Sequence, residues 1–205
     1  MPAQRLTDEQ ITTAALALVD SVGPGALTMR ALAERLGVGT MTLYGYYRSR
    51  DELLDAVVDA ATAGVADPQS TRWTDPRNGL TTLFGALHEV LTQHPGLHRM
   101  RRSRPFLSPG VLRLTDRAIG LLTEAGLDGD DAVRAYRTLY LYTLGCATYA
   151  RQESVDTRRS LNSLPDGDFH HLRRVAPAMI ASAGSGREFE YGLGALLAAL
   201  TPMRG

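Results

Sequence analysis

Apolar residues recur three and four positions apart along nearly the whole chain, and no sustained alternating run of β-branched residues interrupts them, so the pattern predicts helices throughout. The punctuation between them marks the ends. Thr7-x-x-Gln10, Ser49-x-x-Glu52 and Ser185-x-x-Glu188 have the spacing of capping boxes, in which a hydroxyl accepts from a free backbone N–H while the amide or acid reaches back. Asp75-Pro76 and Ser108-Pro109 each put a cap residue before a proline at the first helical position, where its missing N–H is not needed. These signals predict ten helices, over 7–22, 28–36, 40–46, 50–66, 75–93, 96–103, 109–125, 129–153, 168–182 and 186–200. The polar connection from Ala66 to Asp75 could separate a small N-terminal unit from a larger one, and Ser154 to Gly167 forms a long polar loop. No internal repeat or low-complexity tract is present.

One segment has a spacing of its own. In LTMRALAERLGVGTMTLYGYY, residues 27–47, a helix starting near Thr28 carries Leu32 and Leu36 on one face, Gly37-Val38-Gly39 makes a tight turn, and a short helix starts at Thr40. That is helix-turn-helix spacing. Gly37 supplies the left-handed backbone that ends a helix without a Cβ clash. The second helix, about seven residues or ~10 Å long, is short enough to enter a major groove. Thr40, Met41, Thr42, Tyr44 and Tyr46 on it are expected to be exposed and include no acid that phosphate would repel.

Composition sharpens this. All 22 basic residues are Arg, so Schiff-base chemistry, the phosphate-loop Lys and Ser-x-x-Lys hydrolysis are unavailable. The 22 Arg balance 22 acids, and a net charge of zero argues at face value against a nucleic-acid binder. The balance is a sum over patches. Residues 1–50 hold five Arg against Asp8, Glu9, Asp20 and Glu34; 51–66 hold Asp51, Glu52, Asp55 and Asp59 with no base; 99–117 hold six Arg against Asp116. Cys146 is the single cysteine and suits a reducing compartment. The start MPAQRLTDEQ has no apolar h-region, and the longest nearly uncharged apolar stretch, Leu139 to Ala150, is shorter than the ~20 residues of a membrane span. A cytoplasmic protein with no membrane partner is expected. His88, His94 and His98 do not suggest a metal site, because Pro95 breaks the helix between the last two and no acid or Cys joins them at ligand spacing. No metal and no cofactor is expected, and no nucleophile, base and acid are grouped as an enzyme would need.

Residues 7–59, and within them TMRALAERLGVGTMTLYGYYRSRDELLDAVV, resemble the DNA-binding domain of the TetR family of bacterial repressors. WTDPRNGLTTLFGALHEVLTQHPGLHRMRRSRP, LLTEAGL, YTLGCATYARQE and FEYGLGALLAAL, in that order, resemble the regulatory domain of the tetracycline-repressor branch. The resemblance implies an all-α fold, with a three-helix DNA-binding domain at 1–50, linked through the helix at 50–66 to a ligand-binding and dimerisation domain at 51–205. It implies a homodimer that binds double-stranded operator DNA and answers to a small-molecule effector. Arg30, Thr40, Met41 and Thr42 match positions that read bases; Thr28, Tyr44, Tyr46, Arg48 and Arg50 match phosphate-contacting positions. The chemistry agrees, since Arg can fork onto guanine, Thr and Met methyls can pack on thymine, and a phenol can donate to phosphate. Plainer roles stay open: Arg30 and Glu34 are four apart and could simply pair, and Met41 could pack. Gly45 departs from the large residue usual there.

Phe84, Leu114, Ala118, Tyr136 and Tyr140 match inducer-pocket positions, and His88 lies on the same helix face as Phe84. Spacing alone would read these as core. Met100 and Tyr149, expected by the same resemblance to line the ligand site, stand where tetracycline repressors hold magnesium through His and Glu, and neither suits that hard cation. The resemblance therefore points to a metal-free, aromatic or polyketide-like ligand, and a regulator without a small ligand, governed by a protein partner or by abundance, is the alternative. Gly192, Ala195, Leu196 and Ala199 fall on the helix that pairs across the family's two-fold axis. The run RMRRSR, Arg99 to Arg104, is expected to meet the acids of the fourth helix.

Overall fold

The computed structural model describes residues 6–65, 73, 75–101, 108–149, 159–163, 169–182 and 186–201, which form helices, turns and connections with no strand among them. The helices are α1 Asp8–Val22, α2 Met29–Leu36, α3 Thr40–Tyr44, α4 Arg50–Thr62, α5 Pro76–Gln93, α6 Pro95–Arg101, α7 Pro109–Glu124, α8 Gly129–Tyr149, α9 His170–Ser182 and α10 Arg187–Leu200, with a 3-10 turn at Pro24–Ala26. The fold is all-α, as the apolar periodicity predicts.

Local chemistry sets the ends. At α1 both halves of the capping box form: Gln10 N–H donates to the Thr7 hydroxyl at 3.2 Å, and Thr7 N–H to the Gln10 side chain at 2.9 Å. Thr28 caps α2 by accepting from Ala31 N–H at 3.0 Å, and Ser49 caps α4 by accepting from Glu52 N–H at 3.1 Å. Each such cap contributes about 1 kcal/mol. The second half of the Ser49 box is displaced, because the Glu52 carboxylate accepts from Arg48 N–H at 2.6 Å. α10 starts from Gly186 in a left-handed conformation, with no side-chain cap, and Ser185 lies outside the described residues. α3 ends at Tyr44 rather than 46, its last turn tightening as Gly45 and Tyr46 N–H reach back three residues to the Thr42 and Leu43 carbonyls at 3.2 and 3.0 Å. The part of the eighth predicted helix beyond Tyr149 also lies outside the described residues.

The chain divides into two compact units, Met1–Thr74 with Gln93–Gly120, and Asp75–Thr92 with Leu121–Gly205. In the first, Ile11, Ala15, Val19, Leu27, Leu32, Leu43, Leu53 and Val57 are buried. On α1 and α4 they recur four apart as an apolar stripe; α2 and α3 add Leu32 and Leu43, and Leu27 comes from the turn before α2. In the second, Leu80, Phe84, Leu87, Leu139, Phe189, Leu193 and Leu197 are buried on α5, α8 and α10. A third layer of order there is polar: the Arg77 guanidinium at the start of α5 donates to the carbonyl and hydroxyl of Thr201, just past α10.

Candidate nucleic-acid interface

The turn between α2 and α3 is built by two glycines. Gly37 adopts φ 68°, the left-handed region, and its N–H closes onto the Ala33 and Glu34 carbonyls while Val38 N–H reaches Ala33 O at 3.0 Å. A side chain at Gly37 would be strained there. Gly39 then starts α3, and Leu43, fully buried, is the peg that fixes this short helix against the core. With Leu43 inward, Met41, Thr42 and Tyr44 turn outward: Met41 is 80% and Tyr44 48% exposed, and Thr40 is half-buried. Met41 is thus not packed. The outward surface of α3 carries no acid, as expected.

The remaining residues expected at DNA separate into two groups. Thr28 stays exposed while capping α2, Arg48 is exposed, and Arg30 pairs with Glu34 at 3.0 Å on the surface. Such an exposed pair holds Arg30 by only a few tenths of a kcal/mol. Tyr46 is half-buried rather than exposed as expected, and the polar atoms of both Tyr46 and Arg50 bond within the unit. The Tyr46 hydroxyl donates to the Leu6 carbonyl at 2.6 Å. The Arg50 guanidinium donates through Nε to Leu27 O and through Nη2 to Pro24 O, both at 2.6 Å, and so ties the start of α4 to the turn before α2. Neighbouring Tyr47 is core: its hydroxyl donates to Asp8 at 3.2 Å, and burial, helped by the Asp8 charge, raises its phenol to about 12.

Two carboxylates of these helices reach partners far along the chain. Asp20, on α1, accepts from the His94 ring at 2.8 Å and from Gly96 N–H at 2.9 Å at the start of α6, and Arg99 donates to the Val19 and Asp20 carbonyls at 3.2 and 3.1 Å. Asp59, on α4, accepts from the Ser108 hydroxyl and, at 2.9 Å, from Gly110 N–H at the start of α7. Of the Arg99–Arg104 run, Arg99 reaches the end of α1; the Arg101 side chain and residues 102–104, on which the expected meeting with the α4 acids rests, lie outside the described residues. The one sequence clue was a repeated x-Pro-Gly at both helix starts.

Of the residues expected to bind a ligand, Met100, Leu114 and Ala118 belong to the first unit and are buried, and Phe84, His88, Tyr136, Tyr140 and Tyr149 to the second. Phe84 is fully buried, and Tyr136 and Tyr140 stack at 5.8 Å between ring centroids. His88 lies flat on Phe189, 3.9 Å between centroids and 6° between planes, and burial lowers its pKa, so the imidazole is neutral near pH 7. Tyr149 is 63% exposed, which corrects its placement in a pocket: it follows buried Ala147 by two residues, about 200° around α8. A cleft of about 520 Å³ in the second unit, lined by Leu127, Asp131, Arg134, Thr138 and Ala199 among others, contains none of the eight. Among the described residues no three His, Cys, Asp or Glu converge as metal ligands, and no helix is long and apolar enough to cross a membrane.

On α10 the expected pairing stripe divides. Ala195 and Ala199 are exposed, Leu196 is half-buried, and Tyr191 is 83% exposed. Gly192 is a correction: it faces Tyr142 of the same chain, and a Cβ there would collide with that ring, so its smallness serves the packing of α8 on α10. The Tyr142 hydroxyl donates to Glu188 O at 2.8 Å, its ring stacks on Phe189, and burial raises its phenol to about 12.

A short exposed helix pegged at a fixed angle behind a glycine turn defines a helix-turn-helix regulator of transcription. Comparison with known proteins agrees over nearly the whole chain. The family model "Bacterial regulatory proteins, tetR family" matches residues 11–57, and "Tetracyclin repressor-like, C-terminal domain" matches 68–204. The chain belongs to the tetR family of transcriptional repressors, whose members are regulators rather than enzymes. It is 28% identical to the HTH-type transcriptional repressor DrrR1 of Streptomyces coeruleorubidus, over 91% of this chain and 67% of that one, and 29% identical to the class A tetracycline repressor of Escherichia coli, over 98% and 93%. Among solved structures it resembles ActR of Streptomyces coelicolor in complex with actinorhodin, with a TM-score of 0.73 at 29% identity over 96% of this chain and 97% of that one.

Proposed function

We propose that this repressor binds a palindromic operator as a homodimer and is released from it by a small aromatic or polyketide-like molecule. The observation that carries the DNA reading is the acid-free outward surface of α3, held by buried Leu43 behind the Gly37 turn. Thr40, Met41 and Thr42 meet bases there, and Arg30 joins them by leaving its weak surface pair with Glu34. Thr28, Tyr44 and Arg48 contact phosphates, while Tyr46 and Arg50 hold the frame from within. Residues 1–50 serve as the DNA-binding domain, and 51–205 carry the response and the dimer contact.

Dimerisation is supported by apolar side chains left bare on α8 and α10, Leu141 at 57% exposure and Tyr191, beside Ala195, Leu196 and Ala199. Two symmetric short helices double the few contacts that one can make. The ligand class is supported within the second unit by buried Phe84, the Tyr136 and Tyr140 stack and the neutral His88. Flat apolar and aromatic surface with few polar groups suits a planar organic molecule without a metal. The likeness to ActR with actinorhodin points the same way. Release follows from linkage, since a ligand favouring a form with misplaced recognition helices lowers DNA affinity by its preference for that form. A gel shift on the DNA flanking the protein's own coding region, repeated with actinorhodin and related planar polyketides, tests both parts. Binding with two chains per duplex, weakened by one of the compounds, is expected; no shift on any flanking DNA overturns the operator reading.

A further inference from the structure

α6 and α7 begin with one signature, His94-Pro95-Gly96 and Ser108-Pro109-Gly110. At each, the side chain before the proline and the N–H after it converge on one carboxylate, Asp20 of α1 for the first and Asp59 of α4 for the second. Proline has no N–H to offer, so the preceding side chain and the glycine amide are the donors available, and an acid taken from elsewhere in the chain satisfies both. An ordinary cap lies next to its helix in sequence; here the partners are 49 to 76 residues away. Glycine is required at both places for close approach. A Cβ on Gly96 would stand 2.6 Å from Val19 Cγ1 and 2.7 Å from Asp20 Oδ1, and one on Gly110 would collide with the Asp59 carboxylate. Arg99 adds a reciprocal contact, donating to the last carbonyls of α1. Asp20 and His94 are mostly shielded, with 22% and 31% of their side chains exposed.

We propose that Asp20 and Asp59 are positioning residues that join α6 and the start of α7 to the DNA-binding helices as one body, and thereby fix the angle at which the two recognition helices of a dimer meet a palindrome. The second half of this inference rests on the dimeric operator reading; the first does not. Neither acid lies on the outward surface of α3 or among the residues assigned to DNA. Loss of an anchor therefore leaves each recognition helix able to bind its own half-site but removes the advantage of binding two at once.

The test uses the full chain as D20A, D59A and D59N, the last keeping an oxygen that can accept both donors. In hydrogen exchange without DNA, D20A speeds the amides of 96–101 and D59A those of 110–116 by about ten-fold or more, while α5 and D59N stay within about two-fold of wild type. Unchanged exchange at both places, or a uniform rise through the chain, overturns the anchoring. Duplexes are then recovered from random DNA by selection on the wild type, and anisotropy compares full palindromes with half-sites. The ratio of full-site to half-site affinity falls about ten-fold in D20A and D59A, with half-site binding retained and D59N like wild type. Equal loss on both duplexes overturns the positioning role, because a damaged fold would weaken them alike. If selection recovers no DNA, the operator reading fails and the positioning role falls with it, while the exchange result still decides the anchoring.

Discussion

Arg50 separates a structural arginine from a DNA-contacting one. Its guanidinium makes two charge-assisted hydrogen bonds of 2.6 Å, to Pro24 O and Leu27 O. Bonds from charged donors contribute about 1.5–3 kcal/mol each, and after removal of the donor Pro24 O keeps its bond from Leu27 N–H at 3.3 Å while Leu27 O loses its guanidinium partner. The side chain is only half-buried, so the low end applies and Arg50→Ala should cost roughly 2–3 kcal/mol, or about 5–10 °C in Tm at this chain length. Lys at this position should recover less than half, because an ammonium lacks the planar fork that spans two carbonyls. Arg48→Ala, whose side chain is exposed, should leave Tm unchanged and lower the salt slope of DNA binding by about 0.9, the loss of one neutralised phosphate. Thermal melts followed by salt titrations of operator binding check both variants. An Arg50→Ala protein with wild-type Tm and a slope reduced by about one would refute the assignment.

Gly192→Ala should destabilise by about 1–3 kcal/mol through collision with Tyr142, and the loss should shrink when Tyr142→Leu is added, as a double-mutant cycle in urea would read. For His88, burial holds the folded pKa below the unfolded value near 6.5, so the unfolded state takes up the proton first and stability falls as pH drops below about 6.5. His88→Phe, which keeps a ring on Phe189, should show a smaller drop in urea midpoint between pH 7.5 and 5 than wild type; an equal drop would sink the claim. Tyr47 titrates near 12 in the fold against about 10 unfolded, so stability falls as pH rises above 10, and Tyr47→Phe should remove part of that loss in alkaline melts.

What could be read from the sequence was whatever is encoded locally. Thr7, Thr28 and Ser49 sit within three residues of the amides they cap, and Gly37 marks its own turn, so the starts of α1, α2 and α4 and the end of α2 were legible, while α3 and α4 stop short of the predicted 46 and 66. The outward surface of α3 was legible in its hydroxyl and phenol residues Thr40, Thr42 and Tyr44, whereas the outward turn of apolar Met41 and the burial of Leu43 needed the packing against the core. The internal bonds of Tyr46 and Arg50 were not legible because their partners are backbone carbonyls of residues 6, 24 and 27, and a carbonyl carries no sequence signal. Gly192 looked like part of a close-packing stripe, but its neighbour is Tyr142 on another helix, a pairing that periodicity along α10 cannot show. Asp20 and Asp59 counted only as charges in a patch; their meaning comes from helix starts far along the chain. Tyr149 was placed by resemblance against the turn of its own helix, which sends it outward from the face of Ala147.

The central claim is that a dimer reads DNA through the outward surface of α3. Titrating a duplex selected from random DNA with wild type and with Thr42→Asp, under conditions where both melt alike, tests it most directly. Thr42 is exposed, so the carboxylate can be carried without disturbing the core, yet it would face phosphate and base edges from a surface that has no acid. The account predicts two wild-type chains per duplex and binding by Thr42→Asp weaker by about 100-fold or more. Equal affinity of the two proteins for that duplex would contradict it.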